Sequence, residues 1–190
     1  MPIEIQTALI GLLGSTVGAL IGSGVIGYLL NIKKEKSEAD KKTYFFVKSM
    51  VANNDMTHLR EANFYDGVPK KIVENVYDLN YWSETPGYFK FHNKKLNQQM
   101  DKLLEAAKEF AEEVPNKTLP EGPRGTQTVT TMTERARSDH SLRERHRRES
   151  DELVGVAEAV YLAVNNLDND AIKELRISPA EIQKIAAAEK

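Results

Sequence analysis

A stretch of 26 consecutive residues without a charged side chain, from Thr7 to Ile32, constrains the structure of this chain more than any other feature. As an α-helix the stretch is roughly 39 Å long, at about 1.5 Å per residue. The hydrocarbon core of a bilayer is about 30 Å thick, so this length is sufficient to cross it with some tilt. The stretch therefore predicts a single transmembrane anchor over residues 1–32.

A secretory signal peptide and a glycine-rich, fusion-peptide-like insertion are the alternatives to this uncleaved anchor. A signal peptide begins with a basic region, whereas this N-terminus reads MPIEIQ and contains one Glu and no Lys or Arg. The apolar stretch is also longer than the roughly 7–15 residues that a signal peptide uses. Both observations favour the uncleaved anchor.

The charges beside the stretch predict its orientation. Residues 33–42, KKEKSEADKK, contain five Lys and three acidic residues. By the positive-inside rule, a basic flank stays in the cytoplasm. We therefore expect a cell (inner) membrane protein with its N-terminus outside, a charged juxtamembrane linker over 33–42 and a cytoplasmic α-helical domain over 43–190. The lysines can also contact anionic lipid headgroups.

Six of the 11 glycines of the chain lie within residues 11–27. In water each glycine costs a helix about 1 kcal/mol relative to alanine, but in lipid small residues let two helices approach closely and pack. Two adjacent rows carry a small residue at every fourth position, and they resemble the glycine zippers of oligomerising membrane segments. This resemblance implies homo-oligomerisation or pairing with a partner helix. The predicted oligomerisation face comprises Gly11, Gly14, Ser15, Gly18, Ala19, Gly22, Ser23 and Gly27.

Two apolar patterns beyond the linker predict two long helices. Spacings of 4, 3, 4, 3 and 4 join Leu96 to Val114, and spacings of 4, 3, 4 and 3 join Leu153 to Leu167. Such spacing gathers the apolar residues on one helix face. We expect the helices to form an antiparallel αα-hairpin joined by an irregular loop at about 115–135, which contains three prolines. No hairpin motif or sustained alternation indicates a sheet, so the predicted fold class is all-α.

Shorter signals predict the remaining helices and their ends. Residues 41–52 show helical spacing and should extend from the membrane, Asp55 is a candidate cap, Pro69 should open a helix, and Pro86-Gly87 should interrupt the chain. Near the C-terminal end of the sequence, Ser178 and Glu181 have the spacing of a capping box. The apolar residues that these short helices are expected to carry are Tyr44, Val47, Val51, Met56, Leu59, Ala62, Ile72, Val76 and Leu79.

A basic segment, RARSDHSLRERHRR at residues 135–148, stands out in a chain with a net charge of −2. The guanidinium fork of arginine binds phosphate well, so nucleic acid or anionic lipid is a candidate ligand. The alternatives are a solvated extension of the following helix and pairing with the acidic residues of 101–113. The candidate anion-binding residues are Arg135, Arg137, Arg143, Arg145, Arg147 and Arg148.

No motif predicts catalysis. The four histidines share no metal-ligand spacing, and neither a nucleophile elbow nor a phosphate-binding loop is present. The chain has no cysteine, which excludes disulfides and thiolate sites. We predict no catalytic, cofactor-binding or metal-binding residue, and an enzyme with a dispersed site is the least favoured alternative.

These features together predict a single-pass membrane protein that self-associates through its glycine-rich helix. Its cytoplasmic helical domain is expected to recruit or sense a partner protein. The alternative is a membrane-perturbing effector, in which the glycine rows assemble a pore that the helical domain gates. Small bacterial toxin and defence proteins have a similar general layout, an analogy that carries no site residues.

Overall fold

The computed structural model describes residues 3–51, 53–85, 87–121, 128–131 and 139–181; within these ranges, the side chains of 3–26, 53–55, 121, 128–129 and 140 fall outside the description. The chain divides into two compact units, Met1–Ala39 and Asp40–Lys190. It is mostly helical, which confirms the predicted class in outline. The elements are α1 (Ile3–Met50), α2 (Asn53–Arg60), β1 (Val68–Pro69), α3 (Lys70–Ser83), α4 (Lys94–Lys117), β2 (Leu119–Glu121), β3 (Thr128–Thr130) and α5 (His140–Leu175).

The first unit consists of the N-terminal part of α1. This helix continues without interruption through residues 33–42, so the predicted linker is helical. Gly27, the last member of the predicted zipper face, is exposed, and a Cβ added there would meet no atom within 4 Å. The rest of that face, from Gly11 to Ser23, lies outside the described side chains. Within the part of the chain whose side chains are described, no helix is both long and apolar enough to span a bilayer.

The core of the second unit is the pair of helices α4 and α5. The predicted apolar residues of α4 (Leu96, Met100, Leu103, Ala107, Phe110, Val114) and of α5 (Leu153, Ala157, Val160, Val164, Leu167) are all buried. Lys95 Nζ lies 2.6 Å from Asp170, and Lys117 Nζ lies 2.8 Å from Glu152. The start of α4 therefore faces the end of α5, and the predicted antiparallel αα-hairpin is confirmed.

The remaining helices complete this core. The nine residues predicted from the shorter signals, from Tyr44 to Leu79, are all buried. Pro69 directly precedes α3 with a φ of −54°, which suits the start of a helix. The prediction for Asp55 is wrong, because α2 begins at Asn53 and Asp55 lies within it.

A small antiparallel sheet corrects the expectation that no sheet is present. Its strand order is β1-β3-β2, with Val68 opposite Val129 and Leu119 opposite Thr130. The predicted irregular loop at 115–135 therefore contains two strands, and α4 continues past Pro115 to Lys117. Strands of two or three residues are too short to show alternation, so their pairing is not visible in the sequence. Residues 122–127 and 132–138 of that loop lie outside the described residues.

The capping box near the end of the described chain is confirmed. The backbone N–H and the hydroxyl of Ser178 donate to Glu181 at 2.8 Å and 2.7 Å, and the N–H of Glu181 donates to the Ser178 hydroxyl oxygen at 3.3 Å. The two hydrogen bonds that Ser178 donates to the carboxylate, with that from Lys41, lower the pKa of Glu181 to about 2. The box begins a new helical turn at residues 179–181. In this turn the Glu181 carboxylate lies 3.1 Å from Nζ of Lys41, a residue of α1.

Candidate binding site

The structure places the described part of the predicted arginine segment on the first turns of α5. Arg145 Nε donates to Glu149 at 2.9 Å, whereas Arg147 and Arg148 are exposed. Burial alone would raise the pKa of Glu149, but its hydrogen bonds with Arg145 and His146 lower it below the usual value. Arg143 is half-buried, and Arg135 and Arg137 lie outside the described residues. Binding of an anion by this segment stays a prediction.

A group of buried polar side chains holds the C-terminal part of α1 in the second unit. The carboxylate of Asp40 accepts the backbone N–H groups of His92 and Asn93 at 2.6 Å and 2.9 Å. One turn further along α1, the Tyr44 hydroxyl donates to one oxygen of Asp168 at 3.0 Å, and one turn beyond that Lys48 donates to the other oxygen. These contacts join residues 40–48 of α1 to α5 and to the residues that precede α4. Burial, followed by the nearby Asp168 charge, raises the pKa of Tyr44 well above its usual value.

A cleft of about 340 Å³ lies between the end of α1, the α3 helix and the segment that follows α3. We call it the aromatic cleft. Its three aromatic side chains are partly exposed, Phe46 by 38%, Trp82 by 36% and Tyr88 by 41%. The described residues that line it are Phe46, Ser49, Met50, Asn75, Asp78, Trp82 and Tyr88.

The chain reversal after α3 builds this cleft. α3 ends at Ser83, and Gly87 has a φ of +81°, a value that glycine adopts without strain. The reversal brings the Tyr88 ring onto Trp82, with centroids 4.9 Å apart and planes within 19°. Phe46 approaches Tyr88 edge-on at 5.3 Å. Three rings from two helices and a turn thus form one continuous aromatic wall.

Buried neighbours hold the turn in place. Phe89 and Phe91 are both buried in the core. The backbone N–H of Phe91 donates to the Asn97 side chain at 2.9 Å. Tyr88 also borders a second cavity of about 250 Å³, lined in part by Lys90, Asn97 and Asp101. Because the residues that follow it are held in this way, the position of Tyr88 at the edge of the cleft is fixed as well.

The electrostatics of the aromatic cleft favour a positively charged ligand. The acidic residue Asp78 lines it, and none of the described residues that line it is basic. Ser49 and Met50 belong to the last turn of α1, and Trp82 belongs to the last turn of α3. The C-terminal end of a helix carries a partial negative charge from the aligned peptide dipoles. A carboxylate and two helix ends of the same sign therefore meet at this cleft.

The sequence interpretation missed the cleft. The sequence predicts an interruption of the chain at Pro86-Gly87 and no binding surface beside it. A signal was nevertheless present, because five of the fourteen aromatic residues of the chain lie between positions 81 and 91. A dense aromatic segment around a Pro-Gly turn indicates either a small core or a binding surface, and only the partial exposure of Trp82 and Tyr88 distinguishes the two.

Comparisons with known protein families, with curated proteins and with solved structures find no match to this chain. Among the described residues, no group of His, Asp and Glu side chains is arranged to hold a metal ion. The aromatic cleft and the exposed surface of α1 are thus the features from which a function can be argued.

Proposed function

We propose that this chain is a single-pass membrane protein that self-associates through its glycine-rich helix and uses residues 40–190 as a cytoplasmic binding unit. The observation that carries the proposal is the exposure of consecutive apolar residues on α1. Tyr28, Leu29 and Leu30 are exposed by 68%, 59% and 61%. Successive residues are about 100° apart around a helix, so these three cover more than half of its circumference.

A helix that is apolar on all sides is typical of a membrane span or of the centre of a large protein. The 26 uncharged residues that end just after Leu30 are long enough for a span. In the sequence, Tyr28 precedes Lys33 and Lys34 by five and six positions. Aromatic residues are enriched at the membrane–water interface, and basic residues are enriched just beyond it on the cytoplasmic side. Lipid is therefore the environment that best accounts for this surface.

The second unit supports the binding role. Its helices bury a continuous apolar core, while the aromatic cleft remains open at its surface. Tyrosine and tryptophan are enriched at binding surfaces because they combine a large apolar ring with a polar group. A helical unit with an open aromatic surface is suited to recruiting a partner or sensing a ligand rather than to a purely structural role.

Alkaline carbonate extraction of membranes that contain the full chain tests the anchor, with residues 40–190 as the matched control. We expect the full chain to stay in the pellet and the control to be released. Reporter fusions at Lys190 should place the C-terminal end in the cytoplasm. Release of the intact full chain would refute the anchor, and ion flux through liposomes that contain it would support the pore-forming alternative.

A further inference from the structure

We propose that the aromatic cleft binds a small organic cation that carries a quaternary or methylated ammonium group. This inference deepens the proposed binding role of residues 40–190 and does not depend on the membrane anchor. It rests on the juxtaposition of three partly exposed aromatic side chains with the acidic residue Asp78 around a cavity of about 340 Å³. Small-molecule sites occupy about 300–1,000 Å³, so this volume suits a compact ligand.

The aromatic wall favours a weakly hydrated cation. The face of an aromatic ring carries partial negative charge, and it attracts a cation within about 6 Å of its centre. Trp82, which gives the strongest interaction of this kind, is fixed by its stacking on Tyr88 at 4.9 Å. A quaternary ammonium group has an apolar surface of methyl groups and spreads its charge, so it loses little hydration on contact with such rings.

The charges at the cleft also favour a cation. Asp78 supplies a full negative charge, and the last turns of α1 and α3 supply partial negative charge. Lys48, in the last turns of α1, is buried and paired with Asp168. An anionic ligand would meet repulsion from Asp78, and a neutral apolar ligand would gain nothing from it.

The chain offers a direct optical probe, because Trp82 is its single tryptophan. The full-length chain in maltoside micelles should be titrated with choline and, in parallel, with 3,3-dimethylbutan-1-ol, which has the same shape and no charge. Detergents with phosphocholine headgroups must be avoided because they would compete. At constant ionic strength we expect choline to change the Trp82 fluorescence saturably and to bind at least about fivefold more tightly than the neutral alcohol.

Variants locate the site. Asp78→Asn should weaken choline binding about two- to fivefold by removing an exposed charge, and Phe46→Leu should weaken it by a similar factor through loss of one ring. Glu105→Gln, an exposed carboxylate on α4 that does not line the cleft, is the matched control and should leave binding unchanged. Equal binding of choline and the alcohol, or no saturable change with choline, would overturn the proposal, as would unchanged binding in both cleft variants.

Two sources can supply this cation, a free solute and a lipid headgroup. The choline titration should therefore be repeated in nanodiscs of phosphatidylcholine and of phosphatidylglycerol. Weaker apparent binding in phosphatidylcholine alone would identify the headgroup as the ligand, whereas equal binding in both would identify a solute. Failure of choline to bind a chain that resists carbonate extraction would refute the cleft inference alone, and release of a chain that binds choline would refute the anchor alone.

Discussion

The two units of the chain differ in whether their apolar side chains are buried or exposed. In residues 40–190 the apolar residues of α4 and α5 lie on one face of each helix and are buried against each other. In residues 1–39, Tyr28, Leu29 and Leu30 point in different directions around α1 and are more than half exposed. A one-sided apolar face is satisfied by another helix, whereas an apolar surface on all sides needs an apolar solvent. The pattern of apolar residues, rather than their number, thus distinguishes the two environments.

Charged residues show the same contrast. In the second unit, charges far apart in sequence pair across helices, as Lys48 does with Asp168 and Lys95 with Asp170. In the first unit the side chain of Asn31 donates to the Glu35 carboxylate at 2.9 Å, a contact between residues one helical turn apart. Substitutions should therefore affect folding in one unit and association or insertion in the other.

The largest effect is expected from Leu103→Asp in the fragment 40–190. Leu103 is fully buried between α4 and α5, and the change places a charge there without a partner. The free energy of unfolding should fall by more than about 4 kcal/mol, enough to unfold a typical domain. Leu162→Asp is the control, because Leu162 lies half-exposed on α5 and should change stability by less than about 0.5 kcal/mol. Thermal melting followed by circular dichroism measures both, and a folded Leu103→Asp fragment would contradict the hairpin core.

The next effect is expected from Lys48→Met, which leaves Asp168 without its charged partner. Both side chains are largely buried, so loss of one should lower the free energy of unfolding by about 3 kcal/mol. The double variant Lys48→Met with Asp168→Asn should recover much of this loss, because it removes both charges and keeps an acceptor for the Tyr44 hydroxyl. Urea denaturation of the single and double variants gives the comparison. A single variant as stable as the parent would show that this pair does not hold α1 in the second unit.

Gly18→Leu should change association and leave folding unchanged. The substitution places a bulky side chain in the middle of the predicted zipper face, where two helix backbones are expected to approach. Leucine is a good helix former and strongly apolar, so insertion should persist. Mass measurements in a mild detergent should show a smaller assembly than the parent, with Leu20→Ala as the control. If Gly18→Leu assembles like the parent, the interface for association lies in residues 40–190 and not on the glycine-rich helix.

The smallest effect is expected on the stability of the fold at acid pH, through Glu181. The pKa of Glu181 is lowered from 4.5 to about 2, chiefly by the backbone N–H and hydroxyl of Ser178. Because the folded pKa lies below the unfolded value, this stabilisation is present above about pH 4.5 and is lost as the pH falls towards 2. Glu181→Gln should therefore reduce the dependence of stability on pH in this window. Denaturation curves between pH 5 and 2 measure it, with exposed Glu158→Gln as the control.

Much of the helical framework could be predicted because helical periodicity is local. Residues three and four apart share a helix face, so the sequence alone identifies the buried residues of α4 and α5 and the capping box at Ser178. The aromatic cleft could not be predicted in this way. Phe46 and Tyr88 are 42 positions apart, and their 5.3 Å contact depends on how the turn after α3 folds back.

The sequence by itself determined which segments are helical, which faces they bury and where the apolar surface of α1 begins. The tertiary structure decided what the sequence leaves open between distant positions, namely the β1–β3 pairing, the Lys48–Asp168 pair and the open aromatic cleft. The physical reason is that helix hydrogen bonds and amphipathic faces arise within a few residues. Strand pairs, buried ion pairs and clefts exist only when segments far apart in sequence are brought together.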